Sequence, residues 1–255
     1  MVERRDRSPV SDATFFAAEE ALVAGGLVTL GEETAHHARV RRLGAGALLT
    51  LTDGVGHVAH ATLLRLAKSG LTAQVIEVTV VPAPRALHLL VPIADRDRML
   101  WLAEKAAELG LTSWRPVLWR RSRSVKPRGE GPTFVARVRQ RMVAALEQGG
   151  GAWLPAIYPD AVPERAVAGV PDGTKMFVDV DGAPVLSLAP LAPAVTIAVG
   201  PEGGLEESEK ELLARCGFRS ASLGPSILRF ETAGVAALGV VRALTVPAAR
   251  ASHGD

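Results

Sequence analysis

The sequence predicts an α/β protein in two parts: a small, mostly β module over residues 13–82, then a parallel sheet covered by helices over residues 87–248. Three observations carry this. Short strand-like runs such as "GLVTL" and "TAQVIEVTVV" crowd the first part. The second part alternates apolar strand candidates with amphipathic stretches. Between them lies "VPAPRA" (81–86), whose two prolines suit a linker.

Residues 1–12 are charged, lack an apolar run and read as a tail, not a secretory signal. In the β module, Asp53-Gly54 separates "ALLTLTDG" from "HVAHATLLRL" as a hairpin turn. From Leu87, "LHLLVPIA" reads as a buried strand. Asp95 then caps a helix with apolar positions at 99, 100, 102, 103, 106, 107 and 109, which Gly110 ends. A strand at "SWRPVLW", a basic loop at "RRSRSVKPRGEG" and a helix over 133–148 come next. Strands at "TKMFVDV", "TIAVG" and "SASLG" follow, the last two flanking a helix over 205–215. The final helix, 231–246, is apolar nearly all round with small residues at 233, 234, 236, 237 and 239. Such a helix belongs in a core, at a subunit interface, or in both.

Composition narrows the function classes. With 48% hydrophobic and 22% charged residues the chain has the balance of a soluble globular protein, and no apolar run reaches a membrane span. One cysteine, Cys216, excludes an internal disulfide framework and a cysteine-rich zinc site; it reads as a core residue. The six histidines lack metal-ligand spacing, so no metal is expected, and a cytoplasmic location is the default. Net charge is only +2, yet Arg115 to Arg141 holds nine basic residues against Glu130 alone. That patch suits a nucleic-acid partner, or is a solvated arginine-rich surface. The four tryptophans (101, 114, 119 and 153) read as packing residues, with Trp153 also placed to stack on a base.

The stretch "TIAVGPEGGLEESEK" (196–210) joins a strand to a helix through Gly200-Pro201-Glu202-Gly203-Gly204. A helix N-terminus behind glycines suits phosphate, but Glu202, Glu206, Glu207 and Glu209 would repel one. A neutral or cationic ligand fits; the alternative is a tight turn before a well-charged helix start. A second loop, "LGPSILRFETA" (223–233), also follows a strand and opens a helix, bringing Arg229 and Glu231 beside Ile227 and Leu228. Paired loops at C-terminal strand ends are where open α/β sheets bind ligands.

Together "IAVGPEGGLEESE" and "LGPSILRFETA" resemble the bacterial 16S ribosomal RNA (uracil-N3)-methyltransferase family of the SPOUT superfamily. "ETAHHARVRRLGAG", "EKAAELGLTSWRPV", "ALEQ" and "LPAI" extend the resemblance over nearly the whole chain beyond the tail. It implies a PUA-like RNA-binding barrel and a homodimeric catalytic domain, with helices on both faces of its parallel sheet and a deep C-terminal trefoil knot. It also implies S-adenosyl-L-methionine bound within the knot loops, and methyl transfer to N3 of one uridine in the small-subunit RNA, preferably on the assembled particle.

Carried over by position, Gly200, Pro201, Glu202, Gly203 and Gly204 form one wall of the cofactor site, and Leu223, Gly224, Ser226, Ile227 and Leu228 another. A third loop is expected around Val180 and Asp181. Arg229 sits nearest the chemistry, with Glu231 or a water as proton acceptor. His36, Arg39 and Arg42 match the His-x-x-Arg-x-x-Arg positions that touch RNA; Arg121, Arg123 and Lys126 are further RNA candidates. The chain departs from the family at Gly149 to Trp153, where relatives show Ser or Cys and an Arg, and at Phe230, where they show a small polar residue. Two rival readings stay open: 2′-O-ribose methylation of another RNA, and a non-catalytic RNA-binding assembly factor.

Overall fold

The computed structural model describes residues 13–17, 20–124 and 128–245. The tail at 1–12 lies outside them. The chain forms two compact units: one reaching to Ala83 and including Val143–Leu154, the other comprising Pro84–Met142 and the chain from Pro155 onward.

The first unit holds β1 (Ala13–Phe16), β2 (Leu27–Leu30), α1 (Glu32–Val40), β3 (Leu48–Thr52), β4 (His57–Leu66) and β5 (Leu71–Val80). They form a five-stranded sheet in the order β1-β3-β4-β5-β2, antiparallel except where β1 runs beside β3. Alternate residues point to one face: Leu49 and Leu51, then Ala59, Ala61 and Leu63, then Leu71, Ala73 and Val75 are all buried. Ala35 and Ala38 of α1 join the same core, their small side chains letting the helix lie close. α1 lies in a stretch whose pattern is otherwise strand-rich. With two buried alanines and Gly31 as a cap without a side chain, it carries little of the apolar periodicity that marks a helix. The expected turn is present: Asp53 Oδ1 accepts from Val55 N (2.8 Å) and His57 N (3.0 Å), with Gly54 at φ +75°.

Val143–Leu154 is laced into this unit. Gly56 N donates to Ala152 O (2.9 Å), Leu154 N to Gly54 O (2.8 Å) and Trp153 Nε1 to Val81 O (3.0 Å). A side chain at Gly56 would strike the Trp153 ring, so this indole is a packing residue. Trp114 and Trp119 are fully buried, whereas Trp101, expected to pack, is 46% exposed. Glu147 accepts from Phe16 N (2.9 Å) in a half-buried place. Burial pushes its carboxyl above the usual range, and the Phe16 bond offsets only part of that.

The second unit holds β6 (Ala86–Pro92), α2 (Arg96–Glu108), β7 (Ser113–Val117), α3 (Pro132–Gly149, whose second half counts with the first unit), β8 (Ala156–Ile157), α4 (Pro163–Ala168), β9 (Thr174–Pro184), β10 (Ala194–Ala198), α5 (Glu207–Arg215), β11 (Arg219–Ser222) and α6 (Phe230–Thr245). Its six strands, in the order β11-β9-β10-β6-β7-β8, are all parallel, as the alternating pattern predicts. β6 is buried from Leu89 to Pro92 because helices cover both faces. On one face Leu90, Phe177 and Ala198 pack with Ala166 and Val167 of α4 and Leu213 of α5. α2 and α6 pack together at the sheet, burying Met99, Leu102, Ala106, Phe230, Ala237 and Leu238.

Local chemistry sets these elements. Asp95 Oδ1 accepts from Asp97 N (3.2 Å) and Arg98 N (3.1 Å), the N-cap read from the sequence, and Gly110 at φ +71° closes α2. Gly234 lets α6 approach α2: a Cβ there would lie 2.9 Å from a Leu102 methyl. Arg242, farther along α6, donates to Leu109 O (3.0 Å) and Gly110 O (2.6 Å) at the C-terminal end of α2, so the two helices run in the same direction. Buried Glu209 accepts from Glu206 N (2.8 Å) at the start of α5 and from Arg120 N (2.8 Å) at the 3-10 turn Arg120–Ser124. No helix among the described residues is long and apolar enough to cross a membrane.

Two outcomes test this packing. Gly182 faces β11 so closely that a Cβ would fall 2.6 Å from Ala221 N. Gly182→Ala is expected to cost about 1–3 kcal/mol in urea unfolding, the usual penalty for overpacking; an unchanged midpoint would refute the close approach. Glu147, protonating more readily folded than unfolded, leaves the protein most stable below the unfolded carboxyl range and less stable as pH rises through its raised folded value. Glu147→Gln keeps an acceptor for Phe16 and removes the charge. Melting curves from acid to neutral pH should therefore show the variant gaining on the wild type as pH rises.

Candidate functional site

Residues from the middle of β9 and from just past the C-terminal ends of β10 and β11 surround one cavity of about 310 Å³, a size that suits a small ligand. The chain leaves β10 at Val199, whose carbonyl accepts from Trp119 Nε1 (3.1 Å) and whose N–H donates to Leu90 O (2.9 Å). Gly200 packs closely on the next turn of the loop: a Cβ there would lie 3.0 Å from the Leu205 side chain, which would have to give way. Gly204 N then turns back to Pro201 O (2.8 Å). Gly200, Pro201, Glu202, Gly203 and Gly204 all line the cavity.

The loop after β11 forms the facing wall. Gly224 exchanges hydrogen bonds with the Ser222 hydroxyl, donating from its N–H (3.3 Å) and accepting at its carbonyl (3.1 Å). Leu223, Gly224, Ser226, Ile227 and Leu228 line the cavity, followed by Phe230 and Ala233 of α6. Ile227 is 87% exposed, so this wall presents apolar surface to solvent. Two loops on adjacent strands are the simplest arrangement that the paired motifs suggest. Instead β9 lies between β10 and β11 and supplies a third wall, Val178, Asp179 and Val180. Around Val180 and Asp181 the strand is irregular: β9 pairs at Phe177 with Ser220 and again only at Ala183 and Pro184 with Ala221 and Ser222, so 178–182 bulge out between the two stretches of pairing.

Charged groups at the cavity are mostly paired. Lys210 of α5 sits 2.5 Å from Asp179 Oδ2, and that carboxylate holds the ammonium protonated above its usual range. Arg121, an RNA candidate by sequence, lines the cavity and donates through its guanidinium to Gly203 O. Its neighbour Arg120 lies 3.5 Å from Glu206. Arg98, which the sequence reading passed over, donates to Glu202 Oε1 (2.9 Å) and lies 3.8 Å from Glu231 Oε1. Glu231 is 12% exposed, and its Oε2 is buried without a partner among the described residues.

Arg229 is exposed and lies outside the cavity lining; its carbonyl accepts from Ala233 N (2.8 Å) to begin α6. In the first unit His36 and Arg39 are exposed on α1 three residues apart, and exposed Arg42 follows at φ +59°. Arg39 donates to Ala67 O (2.7 Å). Lys126 and the Arg123 side chain lie outside the described residues. No group of three or more metal-ligating side chains gathers among the described residues.

Sequence and fold comparisons place the chain beside known proteins. The family described as "RNA methyltransferase domain" matches residues 81–242, and "RNA methyltransferase PUA domain" matches residues 30–76. A ribosomal RNA small subunit methyltransferase E from Mycobacterium bovis is 31% identical over 248 residues, covering 84% of this chain and 85% of its own. One of the same name from Synechocystis is 32% identical over 232 residues, covering 85% and 73%. Among solved structures, such an enzyme from Neisseria gonorrhoeae bound to S-adenosyl methionine superposes with a TM-score of 0.84 at 29% identity, covering 91% of this chain and 97% of that one. A methyltransferase from Legionella pneumophila with bound cofactor gives 0.81 at 27%, covering 92% and 98%. Sequence, domain order and fold therefore agree: the chain belongs to the RNA methyltransferase family represented by the ribosomal RNA small subunit methyltransferases E.

Proposed function

We propose that this protein methylates N3 of one uridine in 16S ribosomal RNA, on the assembled small subunit, using S-adenosyl-L-methionine. It acts in the cytoplasm as a homodimer with its C-terminal loops knotted. Residues 13–82 serve as the PUA-like RNA-binding domain and 87–248 as the SPOUT methyltransferase domain. The observation that carries the reading is the gathering of eleven expected cofactor-site residues, Val180, Gly200 to Gly204, Leu223, Gly224 and Ser226 to Leu228, around one cavity.

The lining fits that cofactor. Bare glycine backbone offers amides and carbonyls to an adenine edge, while Leu223, Leu228 and Val180 offer apolar cover to its faces. Glu202 and Asp179 suit a ligand that is cationic at sulfur and has no phosphate. When bound, S-adenosyl-L-methionine supplies the methyl group. The protein's own work is to position the base and favour its anion, because uridine N3 keeps a proton at neutral pH. Arg229, exposed at the start of α6, stabilises negative charge spread over N3 and the adjoining carbonyl oxygens. Glu231 or a water accepts the proton. His36, Arg39 and Arg42, with Arg121, Arg123 and Lys126, hold RNA phosphates, and the reaction needs no metal.

Purified protein incubated with methyl-labelled S-adenosylmethionine and unmethylated small subunits should place label in N3-methyluridine. Label in a 2′-O-methylated nucleoside would replace the reaction, and no label beside an active relative would favour a binding-only role. Arg229→Ala should lower kcat about 10²-fold or more while leaving cofactor affinity near wild type, as for loss of a charge-stabilising donor. Turnover within twofold of wild type would exclude this role.

A further inference from the structure

We propose that Arg98 is a positioning residue of this cavity: its guanidinium joins the loop after β10 to the start of α6 and sets the separation of the two walls. The inference rests on the reading of the cavity as the cofactor site. Arg98 belongs to neither wall. It stands in the first turns of α2, where the Asp95 carboxylate fixes its backbone, and reaches Glu202 on one wall (2.9 Å) and, at the start of α6, Glu231 beside the lining residues Phe230 and Ala233 (3.8 Å).

The helix pair explains why it reaches both. α2 and α6 run in the same direction with Leu102 against Gly234 and the α2 C-terminal carbonyls on Arg242. About one turn toward the N-terminus from the Leu102–Gly234 contact, Arg98 and Glu231 come side by side. A cation in the first turn of a helix opposes its dipole, so α2 gains nothing locally from an arginine there. Its compensation comes from the two carboxylates. Glu231, largely buried and with Oε2 unpartnered among the described residues, needs a nearby positive charge. A planar guanidinium presents separate N–H groups to two acceptors; a lysine offers one point of charge.

Hydrogen exchange and cofactor titration test this together, on the full chain, in wild type, Arg98→Gln, Arg98→Lys, Glu202→Gln and the Arg98→Gln/Glu202→Gln pair. Arg98→Gln should speed exchange in residues 200–205 and 226–233 together, with the rest of the second unit unchanged. Its affinity for S-adenosylmethionine should fall roughly three- to tenfold, the size of two partly exposed ion pairs, with kcat at saturating cofactor less affected. Arg98→Lys should restore protection to one loop and not both, and adding Glu202→Gln to Arg98→Gln should cost no further affinity. Exchange unchanged in both loops, or raised in only one, would overturn the proposal, as would strictly additive losses. If Arg98→Gln does not fold, Arg98→Lys decides: exchange raised in one loop and not the other supports the clamp, and exchange unchanged in both overturns it. Failure of wild type to bind S-adenosylmethionine would sink the cofactor reading alone, since loop exchange without cofactor still judges the clamp.

Discussion

Parallel pairing of β9 with both β10 and β11 is the constraint on which the cavity depends. Strands that run the same way end on the same side of a sheet, so three consecutive strand ends deliver three stretches of chain to one place. The chain must then return before each next parallel strand, through the 3-10 turn Val185–Leu188 between β9 and β10 and through α5 between β10 and β11, while α6 follows the last strand. Most of what lines the cavity is therefore the first few residues past β10 or β11 or the first turn of the helix that follows, joined by the irregular middle of β9 and by Arg121.

The carboxylates along "GPEGGLEESE" acquire distinct tasks in this frame. Glu209 is consumed by main-chain N–H groups at the start of α5 and at the 3-10 turn, which fixes the basic segment against the glycine loop. Charge-assisted bonds of this kind contribute about 1.5–3 kcal/mol each, enough to make a buried glutamate worth its desolvation. Glu206 faces Arg120 and Glu202 faces Arg98. What reads in the sequence as a repulsive cluster is, in the folded chain, divided among arginines and amides from three elements.

Much of this was legible before any coordinates. The strand–helix alternation, the Asp95 cap, the Gly110 stop and both glycine-proline loops carry their own chemistry within a few residues. What escaped depends on distant partners. The resumption of β9 at Ala183 and Pro184, beyond the irregular stretch 178–182, depends on β11 being there to pair with it. The second half of α3 gives no sign that it belongs with the first unit, because its hydrogen bonds go to Phe16 and its following loop to Gly54 and Gly56. Arg98 lies 104 residues from Glu202, and no local pattern joins them.

The order in which these pieces leave the ribosome gives the division of α3 a further meaning. Synthesis proceeds from the N-terminus, and domains generally fold as they are completed. The first unit is not complete until Val143–Leu154 has been made, by which point β6, α2 and β7 of the second unit already exist. The nascent chain must therefore hold the opening strands of its larger sheet, Trp114 among them, while its smaller unit is still missing a piece. Completion of the smaller unit is thereby tied to synthesis of the larger one: the first unit closes only after β6, α2, β7 and the first half of α3 have been made.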